Sequence, residues 1–350
     1  MKLIKYVVLF IAAFIWLSGL NADIFNFLGK FGFVHDGYQF GDLYRLSNLP
    51  QFKDPKKSCP EFTPTHAELR DEKVNLFIIG DSFTEAGRIS KTNFNVDSYH
   101  YINWAQSLHI KLDTSETNIL LIECVERHFR EKFVAPIGNI LEDSATFVNN
   151  GDPSFMQKLD AAFASKSTQD RLEMLLFQND AMLQVKEWKA AFNQKFFDRA
   201  SNDVELVNRN SDIVFYMDTD TMQPPPFMKL PAKTTSSFTF LPSSEVDTLV
   251  VNVMRSKVLI EKMGFDKVLL SIIPNKVSVV MPDYGNYNNL ISRVYTHPAF
   301  KLHTIDVLSD FRKIKNRAYL KGDSHWTCES QNIWLNKTNK LINDAVASTN

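Results

Sequence analysis

Apolar and polar positions divide this chain into an N-terminal hydrophobic run and a long stretch of short strands and helices. From residue 74 onward, brief apolar runs recur between polar, turn-forming segments: Val74–Ile79, Asn118–Glu123, Lys267–Ile273 and His303–Val307. Runs this short with such boundaries predict strands. Between them, Glu245–Met263 carries Val246, Leu249, Val250, Val253 and Leu259 at helical spacing. Ser244 is its expected N-cap, Asp247 its capping-box partner and Gly264 its terminator. A helix leading directly into Lys267–Ile273 predicts a layered α/β fold with a parallel sheet.

Residues 140–240 break this rhythm. Thr168–Phe197 reads as one or two amphipathic helices, followed by strand-like pieces at Val204–Val207 and Ile213–Met217 and a loop at Gln223–Pro226. This region is expected to be an insertion, either closing the core or shaping a substrate groove. Residues 23–73, with Pro50, Pro55, Pro60 and Pro64, read as an extended approach to a main domain at 74–350.

At the N-terminus, Lys2 and Lys5 precede an uncharged run from Tyr6 to Leu20, 15 residues long. That is short for a spanning helix, which needs roughly 17–25 residues; continuing to Ala22 approaches the limit. Leu20 fits poorly at the −3 position of a cleavage site after Ala22. Residues 1–22 are therefore expected to be an uncleaved signal anchor and transmembrane helix, with the bulk of the chain outside the cytoplasm.

Composition narrows the function classes. Of 350 residues, 44% are hydrophobic and 23% charged, as in a folded globular chain. The formal net charge of −1 argues against a nucleic-acid binder. Three cysteines suit an exported protein with at most one disulfide. Cys124, in an apolar strand, reads as an inert core thiol; Cys59 and Cys328 are a candidate pair that the sequence leaves open. No CxxC or His/Cys cluster points to a metal, and no cofactor is expected.

The candidate chemistry lies in two short motifs. Gly80-Asp81-Ser82-Phe83 follows the first strand, and Gly322-Asp323-Ser324-His325-Trp326 comes about 240 residues later. A serine at a strand end stands at the carboxyl edge of a parallel sheet, where such sheets place their sites. Its hydroxyl needs a base, which His325 supplies, and Asp323 is the group to orient the ring. Ser82 alone would also read as a helix cap. Trp326 reads as loop packing or a pocket wall. Arg127 either binds an anionic sugar or an oxyanion, or pairs with Glu123 or Glu126; Lys276 is likewise either structural or part of the site.

The paired motifs resemble the SGNH (GDSL-type) hydrolase superfamily. Trp326 after the histidine, Ile272-Ile273-Pro274-Asn275-Lys276, and Asn118–Arg127 ending in Glu-Arg are similar to the membrane-anchored SGNH-like polysaccharide O-acetyltransferases of the alginate type. The resemblance covers roughly residues 74–335. It implies a three-layer α/β/α fold, with Ser82 as nucleophile, His325 as base and Asp323 as its orienter. It also implies acetyl transfer onto or off a sugar hydroxyl, beside a membrane-bound O-acyltransferase as donor partner. The pattern departs in three places. The serine precedes the Asp-x-His motif, as in ordinary members of the superfamily. The usual oxyanion Gly and Asn are missing, leaving Gly87 and Asn103 as candidates. Thr327-Cys328-Glu329-Ser330 replaces the polar-Gly stretch after the tryptophan. A polysaccharide acetyl esterase and a non-catalytic envelope assembly protein are the competing readings.

Overall fold

The computed structural model describes residues 2–18, 59–64, 73–85, 88–110, 112–142, 195–196, 204–209, 212–217, 235–321 and 323–347. The chain divides into two units: residues 58–147, 207–320 and 324–350, which carry the sheet, and residues 1–57, 148–206 and 321–323.

The sheet is built from strands β1 (Val74–Gly80), β2 (Ser98–Asn103), β4 (Thr117–Val125), β8 (Lys267–Ile273) and β9 (His303–Thr304). Short strands β3 (Leu108–Ile110) and β5 (Ile140–Glu142) pair separately, and β6 (Val204–Arg209) and β7 (Asp212–Met217) form another two-stranded sheet. The five-stranded order is β2-β1-β4-β8-β9, with every pair parallel. Chain order reverses between β1 and β4, which makes the crevice at their carboxyl ends the topological switch point.

Central strands covered on both faces are buried along their length and read as near-continuous apolar runs. That is why Thr117–Val125 is buried throughout and why β1 and β8 are nearly so. The edge strand β2, Ser-Tyr-His-Tyr-Ile-Asn, is half-buried at most positions and lacks that signal. The expected strand at His303–Val307 shortens to two residues, although Ile305 N–H still donates to Leu270 O at 2.9 Å.

Helices flank the sheet: α2 (Glu126–Lys132), α3 (Ser243–Lys262), α4 (Lys276–Val280), α5 (Leu290–Tyr295), α6 (Leu308–Ile314) and α7 (Cys328–Ala347). The expected helix at 245–263 is α3, but it starts earlier. Pro242 is the N-cap, so Ser244 lies inside the first turn. Asp247 contacts His297 Nε2 at 3.0 Å rather than closing a capping box. Gly264 follows the helix with φ 102°, a conformation that L side chains rarely adopt. Val246, Leu249, Val250 and Val253 face the core, whereas Leu259 is exposed. Helix α7 buries Trp334, Leu335 and Ile342, and Trp334 Nε1–H donates to Ser271 Oγ at 2.8 Å.

Within 140–240, strands β6 and β7 occupy the expected strand positions. The amphipathic segment at 168–197, apart from residues 195–196, and the proline loop lie outside the described residues. Residues 235–240 belong to the sheet-bearing unit: Phe238 packs with Val277 and Met281.

In the other unit, Lys2–Ser18 forms helix α1 of 17 residues. At 1.5 Å per residue its length is roughly 26 Å, below the ~30 Å of a bilayer core. No helix among the described residues is long and apolar enough to cross a membrane. Residues 19–22 of the expected spanning segment lie outside the described residues.

Candidate active site

Strand β1 ends at Gly80, where a side chain has no room. A Cβ would collide with Thr84 Oγ1 and lie 2.9 Å from Glu123 Oε2. The chain then turns. Thr84 N–H donates to Asp81 O at 3.2 Å, and Phe83 N–H to Asp81 Oδ1 at 3.0 Å. Such a side-chain-to-backbone bond two residues on is the turn chemistry expected of aspartate. Asp81 Oδ2 accepts Val125 N–H at 3.0 Å, fastening the turn to the end of β4. Tyr101 OH donates to Asp81 O at 2.9 Å from β2. Phe83 is fully buried, while Ser82 is half-buried between Asp81 and Phe83.

His325 reaches this turn from the far end of the chain. Tyr319 and Trp326 form an antiparallel bridge, and Leu320 N–H donates to His325 O at 2.9 Å. Thr327 N–H adds a bond to Ala318 O at 3.0 Å. Lys276 Nζ donates to Leu320 O at 2.7 Å, so this lysine braces the histidine turn. Trp326 packs edge-on against Phe83 at 5.2 Å and against Trp334 at 5.4 Å. It is buried, serving as packing for the loop. Cys328 forms a disulfide with Cys59.

The two turns meet where His325 Nε2 and Ser82 Oγ stand 2.8 Å apart. That is hydrogen-bond reach for a nucleophile and its base. His325 is buried, and its ring lies 4.8 Å from the Phe83 ring, which limits its rotation. With Nε2 as the acceptor, the neutral ring carries its proton on Nδ1. Asp323, two residues before it, is fully buried. Among the described residues the Ser82 N–H donates to no acceptor, which leaves it open to a developing oxyanion.

The remaining candidates fall differently. Gly87 lies outside the described residues. Asn103 ends β2 opposite Gly80, at the same sheet edge. Its Oδ1 accepts Ala105 N–H at 3.0 Å, so it serves the local turn. Arg127 is buried in the first turn of α2, directly after β4. Its neighbour Glu126 accepts Asn275 N–H and Tyr287 OH at 2.9 Å each. One turn on, Arg130 makes a bidentate ion pair with Glu245 of α3 at 2.6 and 2.7 Å.

Sequence reading missed the polar floor of the Ser82 turn. Glu123 is fully buried in β4, and its Oε2 accepts Asp81 N–H and Thr84 Oγ–H at 2.9 Å each. Burial, and then the adjacent Asp81, push its carboxyl well above the usual carboxylate range. The signal was an acid near the end of a largely apolar strand. Burial also raises the Cys124 thiol, in keeping with an inert core cysteine. Among the described residues, no group of three or more His, Cys, Asp or Glu side chains could hold a metal ion.

Comparison with protein-family models, with characterised proteins and with solved structures finds no match to this chain.

Proposed function

We propose that this protein is a serine-dependent O-acetyltransferase of SGNH type, acting on a polysaccharide outside the cytoplasm. The observation that carries the reading is the 2.8 Å contact between Ser82 Oγ and His325 Nε2 at the switch point of a parallel sheet. Ser82 Oγ attacks the acetyl carbonyl while His325 Nε2 takes its proton. The Ser82 N–H faces the oxyanion, and the proton passes to the departing donor group. A sugar hydroxyl then attacks acetyl-Ser82 and gives its proton to His325; the bond to Ser82 Oγ breaks, His325 returns the proton to that oxygen, and the sugar leaves as its acetate ester. Asp323 takes the orienting role that its motif implies.

Support for an extracytoplasmic location is the Cys59–Cys328 disulfide, which persists in oxidising compartments. The exposed apolar side chains of α1, among them Ile4, Leu9, Phe10 and Phe14, suit association with a membrane. A membrane-bound O-acyltransferase would supply the acyl group. The net charge of −1 does not favour nucleic acid as a partner.

The test is turnover of a small acetyl ester by the full-length protein. Ser82→Ala should lower it by about three orders of magnitude or more; an undiminished rate removes the nucleophile assignment. Supplying acetyl donor with oligosaccharide acceptors should yield acetylated sugar by mass spectrometry. Free acetate with every acceptor would assign an esterase. Wild-type protein with neither activity would favour the assembly-protein reading.

A further inference from the structure

The Ser82 turn stands on a carboxyl group to which acyl transfer assigns no role. Glu123 contacts the turn at both ends, through Asp81 N–H before Ser82 and Thr84 Oγ–H after it. Its carbonyl accepts Trp104 Nε1–H at 2.7 Å, and the Asp81 carboxyl is near enough to act on its proton affinity. The missing Cβ of Gly80 makes room for Glu123, since Oε2 lies 2.9 Å from where that atom would be. We propose that Glu123 is a positioning residue: its carboxyl group sets the Asp81–Thr84 turn and so holds Ser82 Oγ against His325 Nε2. This rests on the acyl-transfer reading above.

The surroundings decide the form in which Glu123 acts. Facing it are Asp81 from the turn after β1 and Tyr99 and Tyr101 from β2, with the uncharged Ser271 its register partner on β8. Cys124 adjoins it on β4, where Arg127 and Lys132 of α2 act on the thiol. Two neighbouring carboxylates, one of them fully buried, cannot both ionise cheaply. Glu123 therefore holds its proton more tightly than a free carboxyl does, beside Asp81, whose two oxygens accept Phe83 and Val125 N–H. The raised affinity follows from burial first and Asp81 second. Unfolded glutamate titrates near 4.3. Stability from the retained proton is full below that pH and is lost as pH rises through the folded value. Above that value the ionised Glu123 repels Asp81 and loosens the Ser82 turn.

The experiment compares wild type, Glu123→Gln and Glu123→Ala in acetyl-ester turnover from mildly acidic to alkaline pH. It adds infrared difference spectra of the protonated carboxyl. Glutamine is a neutral mimic: its oxygen accepts from Asp81 and Thr84, and its NH₂ donates to the Asp81 carboxylate. Wild type should lose kcat as pH rises through the folded Glu123 value, with KM little changed. Glu123→Gln should stay within about threefold of wild type below that value and lose the decline above it. Glu123→Ala should drop kcat by about 100-fold. A protonated-carboxyl band should be present in wild type and absent from Glu123→Gln. The same decline with rising pH in Glu123→Gln, no such band, or wild-type kcat in Glu123→Ala overturns the proposal. If Glu123→Ala does not fold, the Gln variant and the spectra decide. Full activity in Ser82→Ala overturns the acyl-transfer reading itself, an outcome distinct from all of these.

Discussion

Ser82 and His325 sit in turns held by different forces. The serine turn is fastened by polar contacts: Asp81 to Phe83 and Val125, Glu123 to Asp81 and Thr84, and Tyr101 to Asp81. The histidine turn is braced by a backbone bridge, the Lys276 bond, packing of Trp326 on Phe83 and Trp334, and a disulfide three residues beyond the imidazole. Buried polar networks are directional and lose a great deal when one member goes. Packing and cross-links spread their load over many atoms. Placement of the nucleophile should therefore be sensitive to single polar changes, and placement of the base tolerant of them.

The largest test concerns the place where the turns meet. His325→Ala should cost about 10⁴-fold in kcat/KM, and the Ser82→Ala/His325→Ala double variant no more than either single change. Additive losses would mean that the two side chains do not act as one unit. Next is the covalent brace. Cys59→Ser should lower unfolding free energy by about 3 kcal/mol in a denaturant titration. Because other contacts also hold the histidine turn, the folded protein should keep most of its turnover. Gly80→Ala should cost about 2 kcal/mol, since the new methyl group displaces Thr84 and crowds Glu123. Although milder for stability, it should reduce turnover per folded molecule more than Cys59→Ser does. The opposite ranking would reverse the contrast between the turns.

Much of the fold was readable because its signals are local. Strands β1, β4 and β8 are short apolar runs, and α3 shows its helical spacing. The edge strand β2 was not readable, because three of its residues are Ser, His and Asn and its place is set by pairing with β1. Helix α7 was missed although it buries Trp334. Its apolar positions are spaced among polar residues and take meaning only from the sheet they cover. The uses of Glu123 by Asp81 and Thr84, and of Glu126 by Asn275 and Tyr287, were not readable either, because each partner comes from another segment of the chain.

By itself, the sequence determined that the chain forms parallel-sheet strands, that a serine follows the first of them, and that an Asp-x-His-Trp motif lies far downstream. These depend on residue type and short-range spacing. Only the tertiary structure decided that Ser82 and His325, 243 residues apart, stand within hydrogen-bond reach, that Cys59 meets Cys328, and that Glu123 lies beneath the serine turn. Each is a meeting of segments distant along the chain. Strand order and the burial it imposes bring them together, and no local pattern encodes that order.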